Sequence, residues 1–146
     1  MGKAFAAAPL LVLPVAAYNI LAFTLGGFAS TAVNARMTAA VLEARTTAGG
    51  EWPVSSADIL LAGALVVMFV ELVKSTHDRR VATINHFLSI TLFVVCLVEM
   101  LVLPAFATST FFLVTLMVLL DVFAGFILGL ATRSEPEPKR RRTDLR

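Results

Sequence analysis

The stretch "LVTLMVLLDVFAGFILGL", residues 113–130, is apolar from end to end except for one acid, Asp121. A run of this kind matches the ~20 residues that an α-helix needs to cross a hydrocarbon core of ~30 Å. An acid inside it costs about 2.5–3.5 kcal/mol on insertion scales, so it requires a partner or a role. Working outward, three more runs of similar length precede this one, and spans are expected near 9–31, 56–75, 82–103 and 110–131. The first run is read as a retained span and not as a cleaved signal peptide. Its apolar stretch is too long, and only Lys3 precedes it.

Composition agrees. Of the 146 residues 58% are hydrophobic and 15% charged, with a mean hydropathy of +0.86. A soluble domain of this size cannot hide that much apolar surface, so the solvent must be lipid. A single cysteine, Cys96, excludes a disulfide framework, a cysteine-based zinc site and a two-cysteine redox relay. The expected fold is an all-α integral membrane domain over residues 1–131, an up-down bundle of four transmembrane helices with a short outer loop or hairpin. A basic cytoplasmic tail, 132–146, follows it and is expected to be disordered.

Charge sets the expected orientation. Lys3, Lys74, Arg79, Arg80, Arg133, Lys139, Arg140, Arg141, Arg142 and Arg146 fall on one side of the runs, while the other side has Arg36 and Arg45. The positive-inside rule puts both termini and "KSTHDRR" in the cytoplasm of a bacterial inner (plasma) membrane protein. The "KRRR" cluster reads as a topology determinant beside anionic lipid, not as a nucleic-acid contact.

The outer loop, 32–55, is either a helical extension of the first span or a hairpin turning at Gly49-Gly50, with the hairpin preferred. Trp52 suits the headgroup region. Ser55 and Asp58 stand at capping-box spacing before the second span. Thr108 or Ser109 is expected to cap the fourth.

Depth sorts the intramembrane polar residues. Glu71 and Lys74 form a cytoplasmic-end pair three residues apart, with Asn85 and His86 at the same end and Glu99 near the outer end. Ordinary solvation is expected to cover these. Asp121 and Asn19, the latter beside Tyr18, are placed near the midplane. Asp121, Gly125 and Gly129 recur every four residues, which puts the acid on a small-xxx-small helix-packing face. Tyr18, Ala22 and Gly26 make a matching stripe on the first helix. On the third, Asn85, Ser89, Leu92, Cys96 and Glu99 follow 4-3-4-3 spacing and make a polar stripe. First and fourth helices are neighbours in such a bundle. The expectation is therefore that Asp121 hydrogen-bonds Asn19 or Tyr18 in a midplane polar cluster, in protonated form since no lysine or arginine shares its depth.

For function, the favoured reading is a non-catalytic accessory or structural subunit. The sequence has no phosphate loop, nucleophile elbow or HExxH, and no metal or cofactor is expected. His77 and His86 have no obvious third ligand. The alternative is a small proton-coupled transporter or channel that uses Asp121. An enzyme needs convergent groups at one depth, and only one ionisable group per level is expected; the nearest approach is the ring Glu71, His77, Asp78 and His86. The expected partners are the lipid bilayer and a membrane protein, docked through the outer hairpin around Trp52, or a second copy, with Gly125-x-x-x-Gly129 serving either an internal or a dimer contact; nucleic acid is excluded.

The segment "FVVCLVEMLVLPAFATSTFFLVTLMVLLDVFAGF", with "ADILL" and "FVELVKST" upstream, resembles small uncharacterised four-span bacterial inner-membrane proteins. The likeness runs from Trp52 onward and implies the topology and setting. The grouping carries no activity that could be transferred.

Overall fold

A computed structural model of the chain describes residues 9–25, 29–75 and 79–131. In chain order it contains helix α1 (Val12–Leu25), helix α2 (Ser30–Met37), strands β1 (Ala40–Arg45) and β2 (Glu51–Ser55), helix α3 (Ser56–Ser75) and helix α4 (Arg79–Val102). A single 3-10 turn (Pro104–Phe106) leads into helix α5 (Ser109–Ala131). Lys3, Gly26, His77, Asp78 and the tail 132–146 lie outside the described residues.

Helices α3, α4 and α5 are long and apolar enough to cross a membrane. Their outward faces are lined by large apolar side chains such as Phe69, Phe87, Leu101 and Ile127, the reverse of a soluble fold. Of the first expected span, 9–31, the described residues show a shorter apolar helix. Helix α1 has 14 residues, about 21 Å at helical rise, short of the ~30 Å core.

The loop expected to be either helix or hairpin is both in succession. Helix α2 buries Val33 and Met37 and packs beside the 3-10 turn. The hairpin β1–β2 follows, antiparallel, with Leu42 opposite Val54 and Ala44 opposite Trp52. The chain reverses at Gly49, whose φ of +82° suits glycine. The Thr46 backbone N–H donates to the Gly50 carbonyl at 2.9 Å.

Two helix starts follow their sequence signals. The Asp58 N–H donates to Ser55 Oγ at 3.2 Å and the Ser55 N–H to Asp58 Oδ2 at 2.9 Å, a reciprocal capping box. Thr108 Oγ1 accepts the Phe111 N–H at 3.2 Å and caps α5. The apolar core lies toward the hairpin end, where Tyr18, Phe106 and Phe111 stack with ring centroids 4.7–5.6 Å apart. Polar groups collect nearer the opposite end.

Candidate functional site

The buried polar side chains form two sets. At the hairpin end the Tyr18 hydroxyl bonds Thr108 Oγ1 and also donates to the Ala105 carbonyl at 3.3 Å. Asn19 Nδ2 donates to Glu99 Oε2 at 3.3 Å and to the Val15 carbonyl at 3.1 Å. Asn19 is therefore level with Glu99, three residues from the end of α4, and not with Asp121.

The second set is a column between α3, α4 and α5. Glu71 is fully buried. Solvent does not reach it, because the turn at Pro9–Leu11 lies over it, while the expected local pairing with Lys74 is present. The backbone N–H of Leu10, in the turn that leads into α1, donates to Glu71 Oε2 at 2.8 Å. A carboxylate at that positive helix end is favourable. On its other oxygen, Glu71 accepts from Asn85 Nδ2, and Lys74 Nζ lies 3.6 Å away. One turn along α4, Ser89 Oγ donates to Asp121 Oδ2 at 2.6 Å. Asp121 is 6% exposed. It also lies within electrostatic reach of Glu71, His86 and Lys74.

The expected Asp121 bond to Asn19 or Tyr18 is thus replaced by one to Ser89. The physical reason is register. Tyr18 sits beside Thr108, and thirteen residues of α5 (about 20 Å) separate Thr108 from Asp121. The expectation of one ionisable group per level also fails. Glu71 and Asp121 are joined within a single turn of α4 through Asn85 and Ser89, with Lys74 and His86 beside them. The members of the third-helix stripe, Asn85, Ser89, Cys96 and Glu99, do face inward, with only Glu99 half-buried.

The glycines divide. A Cβ at Gly125 would lie 2.6 Å from His86 Nδ1, so this glycine is a notch that seats the imidazole and not a backbone-to-backbone contact. At Gly129 a Cβ meets nothing within 4 Å, which leaves it outside the internal packing. Ala22 is fully buried in the core. Two atoms of the column are buried with no hydrogen-bond partner among the described residues, Asn85 Oδ1 and His86 Nδ1. Sequence reasoning missed the role of Leu10 and the link from Glu71 to Asp121. Glu71 and Asn85 lie 14 residues apart on two helices, and no local spacing signals such a pair.

Chemically, the column offers two carboxylates, a hydroxyl, an amide and an imidazole in a water-poor setting. Compared with known proteins, the chain matches no protein-family model, no curated protein and no solved structure.

Proposed function

We propose that the chain is a four-span protein of the bacterial inner membrane, with both termini cytoplasmic and the hairpin outside. In this reading it serves as a non-catalytic accessory or structural subunit. One observation carries the reading. The short helix α1 is tied to the longer helices just ahead of its start, through Leu10–Glu71, and at its middle, through Tyr18–Thr108 and Asn19–Glu99. Four apolar helices then form one unit, and the bilayer thins locally to match the shorter one. Most of the buried polar side chains bond one another, Asn85 to Glu71, Ser89 to Asp121 and Asn19 to Glu99, which suits a scaffold. Leu42 and Trp52, on one face of the hairpin, are left exposed for lipid headgroups, a membrane-protein partner or a second copy.

The test is a photo-crosslinking side chain in place of Trp52 in native membranes, with the adduct identified by mass spectrometry and the pairing repeated from the partner's side. One reproducible membrane-protein or self adduct is expected. Adducts with lipid alone refute the subunit reading. A second reading, proton-coupled transport, draws support from the two carboxylates that share a level. It requires a proton flux into liposomes that Asp121→Asn abolishes.

A further inference from the structure

The hairpin has two outer edges, and they are built differently. The Thr46 N–H donates to the Gly50 carbonyl at 2.9 Å and the Gly49 N–H to the Thr46 carbonyl at 2.9 Å, which closes the turn. From that closing pair an antiparallel ladder alternates between bonded and non-bonded pairs. Ala44–Trp52 and Leu42–Val54 are then bonded pairs, and Arg45–Glu51 and Glu43–Pro53 are not. Pro53, which has no N–H, stands where the ladder requires none. The backbone groups of Glu51 and Pro53 on β2, and of Glu43 and Arg45 on β1, therefore point away from the hairpin. On the β2 edge the proline removes a donor and blunts the strand. The β1 edge keeps its donors and acceptors, and every residue of β1 is exposed except the half-buried Ala44. Such an edge is a template for another strand.

Charge selects the strand that fits. Glu43 and Arg45 lie two residues apart and share one face of the hairpin. A second β1, run antiparallel, can meet the outward groups of the first in three symmetric ways. Centring the pair on Glu43 sets two glutamates opposite each other, and centring it on Arg45 sets two arginines opposite; like charges so placed are destabilising. Centring it on Ala44 sets Glu43 of each copy opposite Arg45 of the other. Both ion pairs then form together by symmetry, and the closest approach, at the non-bonded pair, falls to the small side chain of Ala44. Each Arg45 lies between Glu51 of its own hairpin and Glu43 of the other copy. A lone two-stranded hairpin is marginal in water, whereas more strands with an apolar face hold together.

We infer that β1 pairs with β1 of a second copy, antiparallel about a two-fold axis at Ala44, to make one four-stranded sheet. That axis is perpendicular to the sheet. For two copies in one membrane the sheet therefore lies along the surface, with Glu43, Arg45 and Glu51 toward water. The apolar face of Leu42, Ala44, Trp52 and Val54 then turns to the membrane and to any partner lying in it, a level that suits Trp52. The pairing does not rest on the subunit reading. Trp52 reports what covers the face of the hairpin, and residues 43–45 report what meets its edge, so either can fail alone.

The experiment places single cysteines in the full-length chain, oxidises native membranes with copper phenanthroline and resolves the products without reductant. Cys96 is fully buried, so the unsubstituted chain is the blank. Ala44→Cys should give a disulfide dimer, because Cα atoms of a non-bonded pair lie ~4.5 Å apart, within disulfide reach. Glu43→Cys and Arg45→Cys alone should give far less, since each stands about 9 Å from its own counterpart, beyond that reach. Expressed together, those two should link to each other. In the Ala44→Cys chain, Glu43→Arg and Arg45→Glu should each reduce the dimer about tenfold, two pairs being reversed by symmetry. Co-expressed with different tags, the two reversed chains should link to each other, which also shows that both fold. Absence of an Ala44→Cys dimer overturns the inference, as does equal linking at all three positions. So does a charge-reversed chain that still links fully to itself, or a mixed pair that stays unlinked.

Discussion

Replacing Gly125 with alanine tests whether the imidazole of His86 is seated against α5. The added Cβ would lie 2.6 Å from His86 Nδ1, 3.3 Å from Cγ and 3.5 Å from Cβ. Nonbonded heavy atoms prefer about 3.5–4.0 Å, so the ring intrudes by roughly 1 Å. Because Cγ is also close, turning the ring about its own axis does not clear the contact. Either the side chain changes its first torsion, which a helix restricts, or α4 and α5 move apart. Overpacking of this kind costs about 1–3 kcal/mol. The substitution also brings a helix-propensity gain of about 0.5–1 kcal/mol. Gly63→Ala and Gly129→Ala receive that gain with no heavy atom within 4 Å of the new carbon. The propensity term cancels in the comparison, so Gly125→Ala should be less stable than either control by about 1–3 kcal/mol. The assay is reversible unfolding by SDS in mixed micelles, followed by circular dichroism. Adding His86→Ala to Gly125→Ala should recover most of the gap. If Gly125→Ala matches or exceeds the controls, the imidazole does not occupy the notch and the packing of α4 on α5 is wrong.

The other predictions follow the same logic in the same assay. Glu71→Leu strands the Leu10 N–H, Asn85 Nδ2 and Lys74, and should cost about 3–5 kcal/mol, the usual loss from breaking a buried pair on one side. Glu71→Gln, which keeps an acceptor, should cost clearly less; equal losses would remove the hydrogen bonds from the account. Tyr18→Phe keeps the ring stack but loses the hydroxyl's bonds to Thr108 and Ala105, for about 0.5–1.5 kcal/mol. No change at all would place that hydroxyl elsewhere. Asp58→Ala opens the capping box and should cost about 1 kcal/mol, with a shift in Trp52 fluorescence because the hairpin roots in that cap. Unchanged stability and emission would refute the coupling.

Signals confined to one segment were legible in the sequence. Apolar length marked α3, α4 and α5, Gly49-Gly50 marked the hairpin, and Ser55–Asp58 and Thr108 marked two helix starts. These depend on neighbours within four residues or on composition alone. The inward stripe of α4 was equally visible, since helical period fixes which residues share a face. What failed was the relative height of the helices. The sequence treats α1 as a span equal to the others, which puts Asn19 level with Asp121. In the structure the helix is shorter and pairs at the hairpin end instead. That difference in height takes Asn19 and Tyr18 away from Asp121, which meets Ser89 instead. Glu71 looked solvated because nothing in the sequence indicates that the chain at Pro9–Leu11 folds back over it.

The junction between β2 and α3 has a mechanical consequence. No residue intervenes between Ser55, which ends the strand, and Ser56, which begins the helix, and the capping box locks the joint. In the four-span reading the hairpin and α3 therefore form one continuous element across the membrane. From Ser55 to Glu71 its arm is about 24 Å at helical rise. At the far end of that arm sits the carboxylate that grips the start of α1. In that reading, a tilt of the hairpin on one face is passed along α3 to the grip on the other.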